Sequence, residues 1–175
     1  MGFEPIEEHA EARAKTESGV TMLNYFVGNG SKAIFRQNKF GPTSSLFPAN
    51  LALLDRFQSL SEMCKPVSEH EVETTRLDDI EAVRDCDFLK IDVQGGEFDV
   101  LLGAPEVLDH TVAVHCEVEF AKGYAGQPLF GEIDSNLRAA GFELIDMMNA
   151  GYATIRDLPS PLARSRLSFG VQLWV

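Results

Sequence analysis

The residues of this chain best placed to do chemistry are carboxylates. Asp92 stands late in the apolar run Phe88–Val93 (FLKIDV) and is followed by Gln94-Gly95-Gly96. A charge buried between Ile91 and Val93, beside a loop where backbone can approach a ligand closely, predicts a site residue. The structural alternative is an aspartate that caps the next helix or pairs with Lys90; the functional reading is favoured. Glu117 and Glu119 finish a second apolar run, Thr111–Phe120 (TVAVHCEVEF), and side chains two apart on a strand point to one side. One of the two is expected at a crevice mouth and the other in solvent. Glu4 ends the short opening segment. It is either an acceptor for a pair of vicinal hydroxyls, as carboxylates at such strand ends often are, or a solvated terminal residue. His9, His70, His110 and His115 share no ligand spacing with one another or with the cysteines, so no metal site is expected. His115, midway along its run, reads as a core histidine.

The elements that must position these groups alternate along the chain. Gly2–Glu4, a turn at Pro5 and the polar helix former EEHAEARAK read as the end of a strand, a turn and a helix. Val20–Val27 (VTMLNYFV) is rich in β-branched and aromatic residues and predicts a buried strand, with Gly28-Asn29-Gly30 turning it back onto a short strand at Ala33–Arg36. Ala49–Leu60 has helical spacing, Val72–Leu77 reads as a short strand, and Asp78 with Glu81 predicts a capping box. Phe88–Val93 predicts a strand ended by Gln94-Gly95-Gly96, and Thr111–Phe120 a strand covered on both faces. An interrupted helix is expected over Glu97–Val107, and a helix over Glu132–Ala140 stopped by Gly141. Phe142–Met147 and Phe169–Val175 predict two closing strands around a polar connection containing Pro and Arg. Alternation of this kind means an α/β protein with a largely parallel sheet, in which ligands bind beyond the carboxyl ends of the strands.

Composition bounds the function. The chain has 175 residues, room for one domain, and a formal charge of -12 from 15 Lys and Arg against 27 Asp and Glu. Such a surface repels phosphate backbones and anionic lipid, so neither nucleic acid nor membrane is expected as a partner. Three cysteines, Cys64, Cys86 and Cys116, give an odd count without paired spacing, which fits a reducing compartment; with no apolar stretch of signal-peptide or membrane-span length, a cytoplasmic location is expected. Cys116, inside the apolar run, reads as a small core hydrophobe.

At FLKIDVQGGEFDVLLGA the sequence resembles the FkbM-type family of S-adenosylmethionine-dependent methyltransferases. The resemblance continues in order through GFEPIEEHA, YFVGNGSKAIF, the Ser-Ser loop GPTSSLFPAN, TTRLDDI and HCEVEFAKGYAGQPLFGEID. It implies a Rossmann-like class I methyltransferase sheet of family order 3-2-1-4-5-7-6, over a single domain spanning residues 1–175. It also implies S-adenosylmethionine as cofactor and a hydroxyl on a small molecule or glycan as methyl acceptor. By position, Glu4, Asp92, Gln94 and Gly95 would bind the cofactor, Asp92 and Glu117 would be catalytic, and Glu97, Glu119, Tyr124 and Gln127 would lie on the acceptor side.

The sequence also departs from the family. The match begins at the end of the family's second strand, so its first strand and the glycine-rich loop of the type D-x-G-A-N-x-G are not found ahead of GFEP. Gly28-Asn29-Gly30 follows the third strand and does not replace them. Since the first strand lies centrally in the family sheet, its loss predicts a slot between two half-sheets, with unpaired backbone groups. Such a chain is expected to close the gap by shifted pairing, to associate with another chain through the open sheet, or to be poorly stable. Met1 is then an internal methionine or a late start, or the chain is a truncated, non-catalytic relative that binds a partner. A nicotinamide-dependent oxidoreductase ranks last, because it gains nothing from QGGE or EVEF.

Overall fold

The computed structural model describes residues 1–16, 18–152 and 168–175 of the chain. The opening strand β1 (Gly2–Phe3) is followed by helix α1 (Glu7–Thr16) and by β2 (Met22–Leu23), which pairs parallel to β1. The strand expected over Val20–Val27 is therefore much shorter, and Tyr25 within it is exposed. Aromatic and β-branched content favours extended backbone, but a ladder grows only as far as its partner, and β1 offers two residues.

The turn at Gly28–Gly30 does not fold the chain back onto that segment. β3 (Lys32–Asn38) pairs antiparallel with β4 (Pro66–Glu73), running from Lys32 opposite Glu73 to Asn38 opposite Pro66. The strand expected at Val72–Leu77 thus lies earlier, and Leu77 instead sits fully buried in a single 3-10 turn. Between β3 and β4 the helix expected over Ala49–Leu60 breaks into α2 (Leu51–Leu54) and α3 (Leu60–Met63), which with Phe57 and Cys64 form a small second core. Asp78 is buried and caps neither the turn that follows it nor Glu81. Its Oδ1 accepts the backbone N–H groups of Glu106 and Val107, each at 3.1 Å, and its Oδ2 meets Arg76. It therefore ties the segment before the main sheet to a later helix.

The main sheet holds β5 (Phe88–Ile91), β6 (Ala113–Glu119), β7 (Leu144–Tyr152) and β8 (Ser168–Trp174) in the order β5-β6-β8-β7. β5 runs parallel to β6, while β8 is antiparallel to both neighbours. Helices α4 (Glu97–Leu102), α5 (Pro105–Leu108) and α6 (Phe130–Ala139) carry Val100, Leu101, Val107, Leu108, Ile133 and Leu137 into a core shared with Leu89, Ile91, Val114, Cys116, Val118 and Trp174. Cys116 is fully buried, as expected of a core thiol, and burial holds its pKa well above the ordinary value. Gly141 ends α6 in the left-handed region, with φ of 98°. Most of the polar connection before the last strand lies outside the described residues.

The result is a mixed α/β fold with parallel and antiparallel strands. β1 and β2 form a sheet of their own, attached to the main core through Phe3, Leu23 and Val27. Among the described strands β5 has one partner, β6. Between β1 and β5 lies a cavity of about 730 Å³, lined on one side by Gly2, Phe3 and Met22 and on the other by Phe88, Lys90 and Asp92. Gly2 and Glu4 donate their N–H groups to Thr21 and Leu23, so the intervening Phe3 directs its backbone polar groups the other way, to the side of the cavity. The two half-sheets do not close on each other by shifted pairing among the described residues.

Candidate functional site

The turn after β5 is shaped by the helix that follows it. Gln94 and Gly95 both take positive φ, 56° and 95°. Glu97, the first residue of α4, folds back over them and accepts the N–H of Val93 at 2.9 Å and that of Gly95 at 3.2 Å. Its side chain is buried, at 1% exposure. Gly95 is favoured by its backbone, and the space around it is tight. A Cβ there would lie 3.2 Å from the Tyr124 ring and 3.4 Å from Gln127 Cβ, so the 123–127 loop packs directly on the turn.

Around this turn a hydrogen-bonded group assembles from four segments of the chain. The Gln94 amide nitrogen donates to Asp92 Oδ1 at 3.0 Å and to Glu117 Oε2 at 2.8 Å. Its oxygen lies 3.3 Å from the Tyr124 hydroxyl, which donates to the Thr43 carbonyl at 2.7 Å. Ser45, buried, donates to the Gln94 carbonyl at 2.6 Å and accepts from Phe47 N–H. Asp92 Oδ2 also meets Lys90 Nζ at 3.2 Å. The structure thus contains both readings of Asp92, since it pairs with Lys90 and stands in the carboxyl group. It corrects the expected burial, because the Asp92 side chain is 42% exposed at the rim.

Glu117 and Glu119 share a side of β6, but neither is solvated. Glu119 is 8% exposed because β6 pairs with β8 out to that residue, and one of its carboxyl oxygens has no hydrogen-bond partner among the described residues. Gln127 is wholly buried and its oxygen accepts Tyr124 N–H. Sequence reasoning missed Ser45 and Thr43 as members of the group. Their signal was the Ser-Ser loop GPTSSLFPAN within the family resemblance, which gives no hint of a partner so far along the chain.

Burial first, then the charge of Asp92, pushes the Glu117 carboxyl up to about 8. Burial and the nearby Glu97 push Glu119 up to about 8 as well. Glu97 is raised in the same direction by burial, against the backbone N–H groups it accepts. Desolvation works against Asp92 too, but the Gln94 amide, the Lys90 ammonium and Glu117 together outweigh it and hold its pKa below the ordinary value. Near neutral pH the mouth therefore carries an ionised Asp92 beside protonated glutamic acids. This is the separation by environment that acid–base chemistry uses.

Glu4 lies apart from this group, at the end of β1. Its Oε1 accepts Ile6 N–H at 3.2 Å, and Arg13 and His9 stand 3.8 and 3.9 Å from its carboxyl oxygens. It is partly buried rather than a solvated terminal residue. Arg13, beside it, and Asp92, across from it, both line the cavity between β1 and β5. His115 stacks on Phe88 at 6.2 Å between ring centres and is half-buried rather than in the core. Among the described residues no three His, Cys, Asp or Glu side chains converge in a way that could hold a metal ion. No helix among them is long and apolar enough to cross a membrane.

With this geometry in place, comparison with known proteins is decisive at one level. The sequence profile of the methyltransferase FkbM domain matches residues 1–144. The chain belongs to the FkbM methyltransferase family. Members of that family are S-adenosylmethionine-dependent, and the matched residues include β5, β6 and every side chain of the hydrogen-bonded group. No curated protein and no solved structure matches the chain.

The residues present fit an S-adenosylmethionine site in part. The cavity between β1 and β5 is of ligand size and is lined by Asp92 and by Arg13, whose guanidinium stands 3.8 Å from the Glu4 carboxylate. The glycine-containing turn at residues 28–30 is not among the residues that line the cavity.

Proposed function

We propose that this FkbM-family chain is a methyltransferase-like domain, single over residues 1–175, whose chemistry is transfer of a methyl group to a hydroxyl of a small molecule or glycan. The observation that carries this reading is the Asp92–Gln94–Glu117 group at the carboxyl ends of two adjacent parallel strands, within the stretch matched by the family. S-adenosylmethionine, when bound, supplies an electrophilic methyl carbon. Glu4 would hold its ribose, and Asp92, Gln94 and Gly95 would flank its reactive end.

The chain's own residues then have distinct tasks. Asp92, ionised and exposed at the rim, accepts the hydrogen bond of an incoming hydroxyl and takes its proton. Glu117, protonated near neutral pH, donates a hydrogen bond beside it. Glu97, Glu119, Tyr124 and Gln127 lie behind these groups and form the wall of the acceptor side, holding the turn and the 123–127 loop in place. Calorimetric titration of the folded chain with S-adenosylhomocysteine tests the proposal. Saturable one-to-one binding is expected; a folded chain that takes up none is not, as it stands, a working methyltransferase.

The cavity favours a second reading of the same fold, as a domain that binds a partner without turnover. The free edges of Phe3 and β5 face a common space lined by Val27, Leu77, Val100 and Val107, which suits an added strand, including one from a second copy of this chain. Sedimentation over a range of concentrations separates the cases. Mass that rises with concentration supports self-association through the open sheet, and a monomer throughout argues against it.

A further inference from the structure

Gln94 is the one residue of the turn that its backbone does not favour. A non-glycine residue at φ of 56° costs about 1 kcal/mol relative to glycine, and glycines follow directly at 95 and 96. Such a cost is retained where the side chain does something a glycine cannot. Here both hydrogens of one amide are used, one on Asp92 and one on Glu117, while Tyr124 beside the amide oxygen and Ser45 on the backbone carbonyl fix which way the amide points.

We propose that Gln94 is the positioning residue of this site, held in a left-handed conformation so that its single amide clamps the Asp92 and Glu117 carboxyl groups into one unit. This deepens the proposed function and rests on that reading for its purpose, though not for its test. Two carboxylates so close repel when both are ionised, and an amide brings donors but no charge to relieve them. The clamp therefore holds a pair that retains a proton between them. It presents a ligand hydroxyl with one acceptor and one donor side by side. Other charged groups reach the pair without bridging it: Lys90 on β5, His115 and Glu119 on β6, and Glu97 on α4. Their fields bias the proton; Gln94 fixes the distance over which it is shared.

The test is Gln94→Gly, which suits the backbone, read by carboxyl-carbon NMR titration of Asp92 and Glu117 without cofactor or acceptor. Its melting temperature is expected to stay within a few degrees of the parent. The Asp92 step is expected to rise and the Glu117 step to fall, drawing together by about tenfold in proton concentration. Tyr124→Phe, which leaves the backbone alone, is expected to shift both steps the same way by less. Unchanged steps in both variants would overturn the proposal, and so would a parallel rise of both, which marks lost donors without a lost pair. Neither outcome bears on whether S-adenosylhomocysteine binds.

Discussion

The two halves of this molecule are finished to different degrees. From β5 onward, strands and helices enclose a core in which Val114, Cys116, Val118, Leu137 and Trp174 are fully buried. Before it, β1 and β2 pair over two residues, α1 buries only Ala10, and a cavity of about 730 Å³ separates them from β5. The carboxyl group that carries the proposed chemistry is built almost wholly from the finished half, with Thr43 and Ser45 added from the loop beyond β3. The carboxylate proposed to hold a ribose, Glu4, stands on the other half. One side of the site is thus preorganised by packing, and the other is tied on through a few contacts.

The comparison breaks most sharply at the contacts themselves. Trp174 is wholly enclosed against Phe130, with its indole N–H donated to Asp134. Trp174→Ala is expected to cost about 3–5 kcal/mol, read as a lowered denaturant midpoint. Gly103, at the end of α4, packs against the first half, since a Cβ there would lie 2.1 Å from the Gly28 carbonyl oxygen. Gly103→Ala must move backbone, and a loss of about 2–3 kcal/mol is expected, with the 26–30 segment displaced in a crystal structure. Phe3→Ala, on the open side, is expected to cost only about 1 kcal/mol by the same measurement, because Phe3 is half-exposed at the cavity.

The pH dependence sharpens the comparison, because the shifted carboxyls belong to the finished half. Glu117 and Glu119 have folded values near 8, above the ordinary 4.5. Between those values the folded state holds protons that the unfolded chain has released. The associated stability is therefore fully present below about pH 4.5 and is lost as pH rises through 8. Over this window a fall on the order of 5 kcal/mol or more is expected, flattened in Glu117→Gln. Thermal melts at closely spaced pH values check both the sign and the flattening.

How much of this was legible in the sequence follows the same division. The strands β5 and β6 and the broken helix after β5 announce themselves as near-continuous apolar runs with glycine punctuation, although β5 is covered on one face only, with Leu89 and Ile91 buried and Phe88 and Lys90 exposed. VTMLNYFV carries the same composition and forms little strand, since pairing depends on a partner that composition cannot reveal. β3 found its partner in β4 rather than beside the Gly28–Gly30 turn, a long-range choice that local turn chemistry does not encode. At the site, Asp92 and Glu117 could be singled out by their place at strand ends. That Glu119 is enclosed depended on how far β8 pairs along β6. The Gln94 clamp draws on residues 43, 45, 92, 117 and 124, whose meeting only the folded chain defines.

The most direct measurement of this difference is amide hydrogen exchange, residue by residue, on the folded chain. Val114, Cys116 and Val118 are expected to exchange only through global unfolding, while Phe3 and the amides of β5 that point away from β6 exchange through far smaller openings, by a factor of about a thousand or more. Protection of Phe3 and of those β5 amides equal to that of Val114, Cys116 and Val118 would contradict the account, because it would mean that β1 and β5 are already joined.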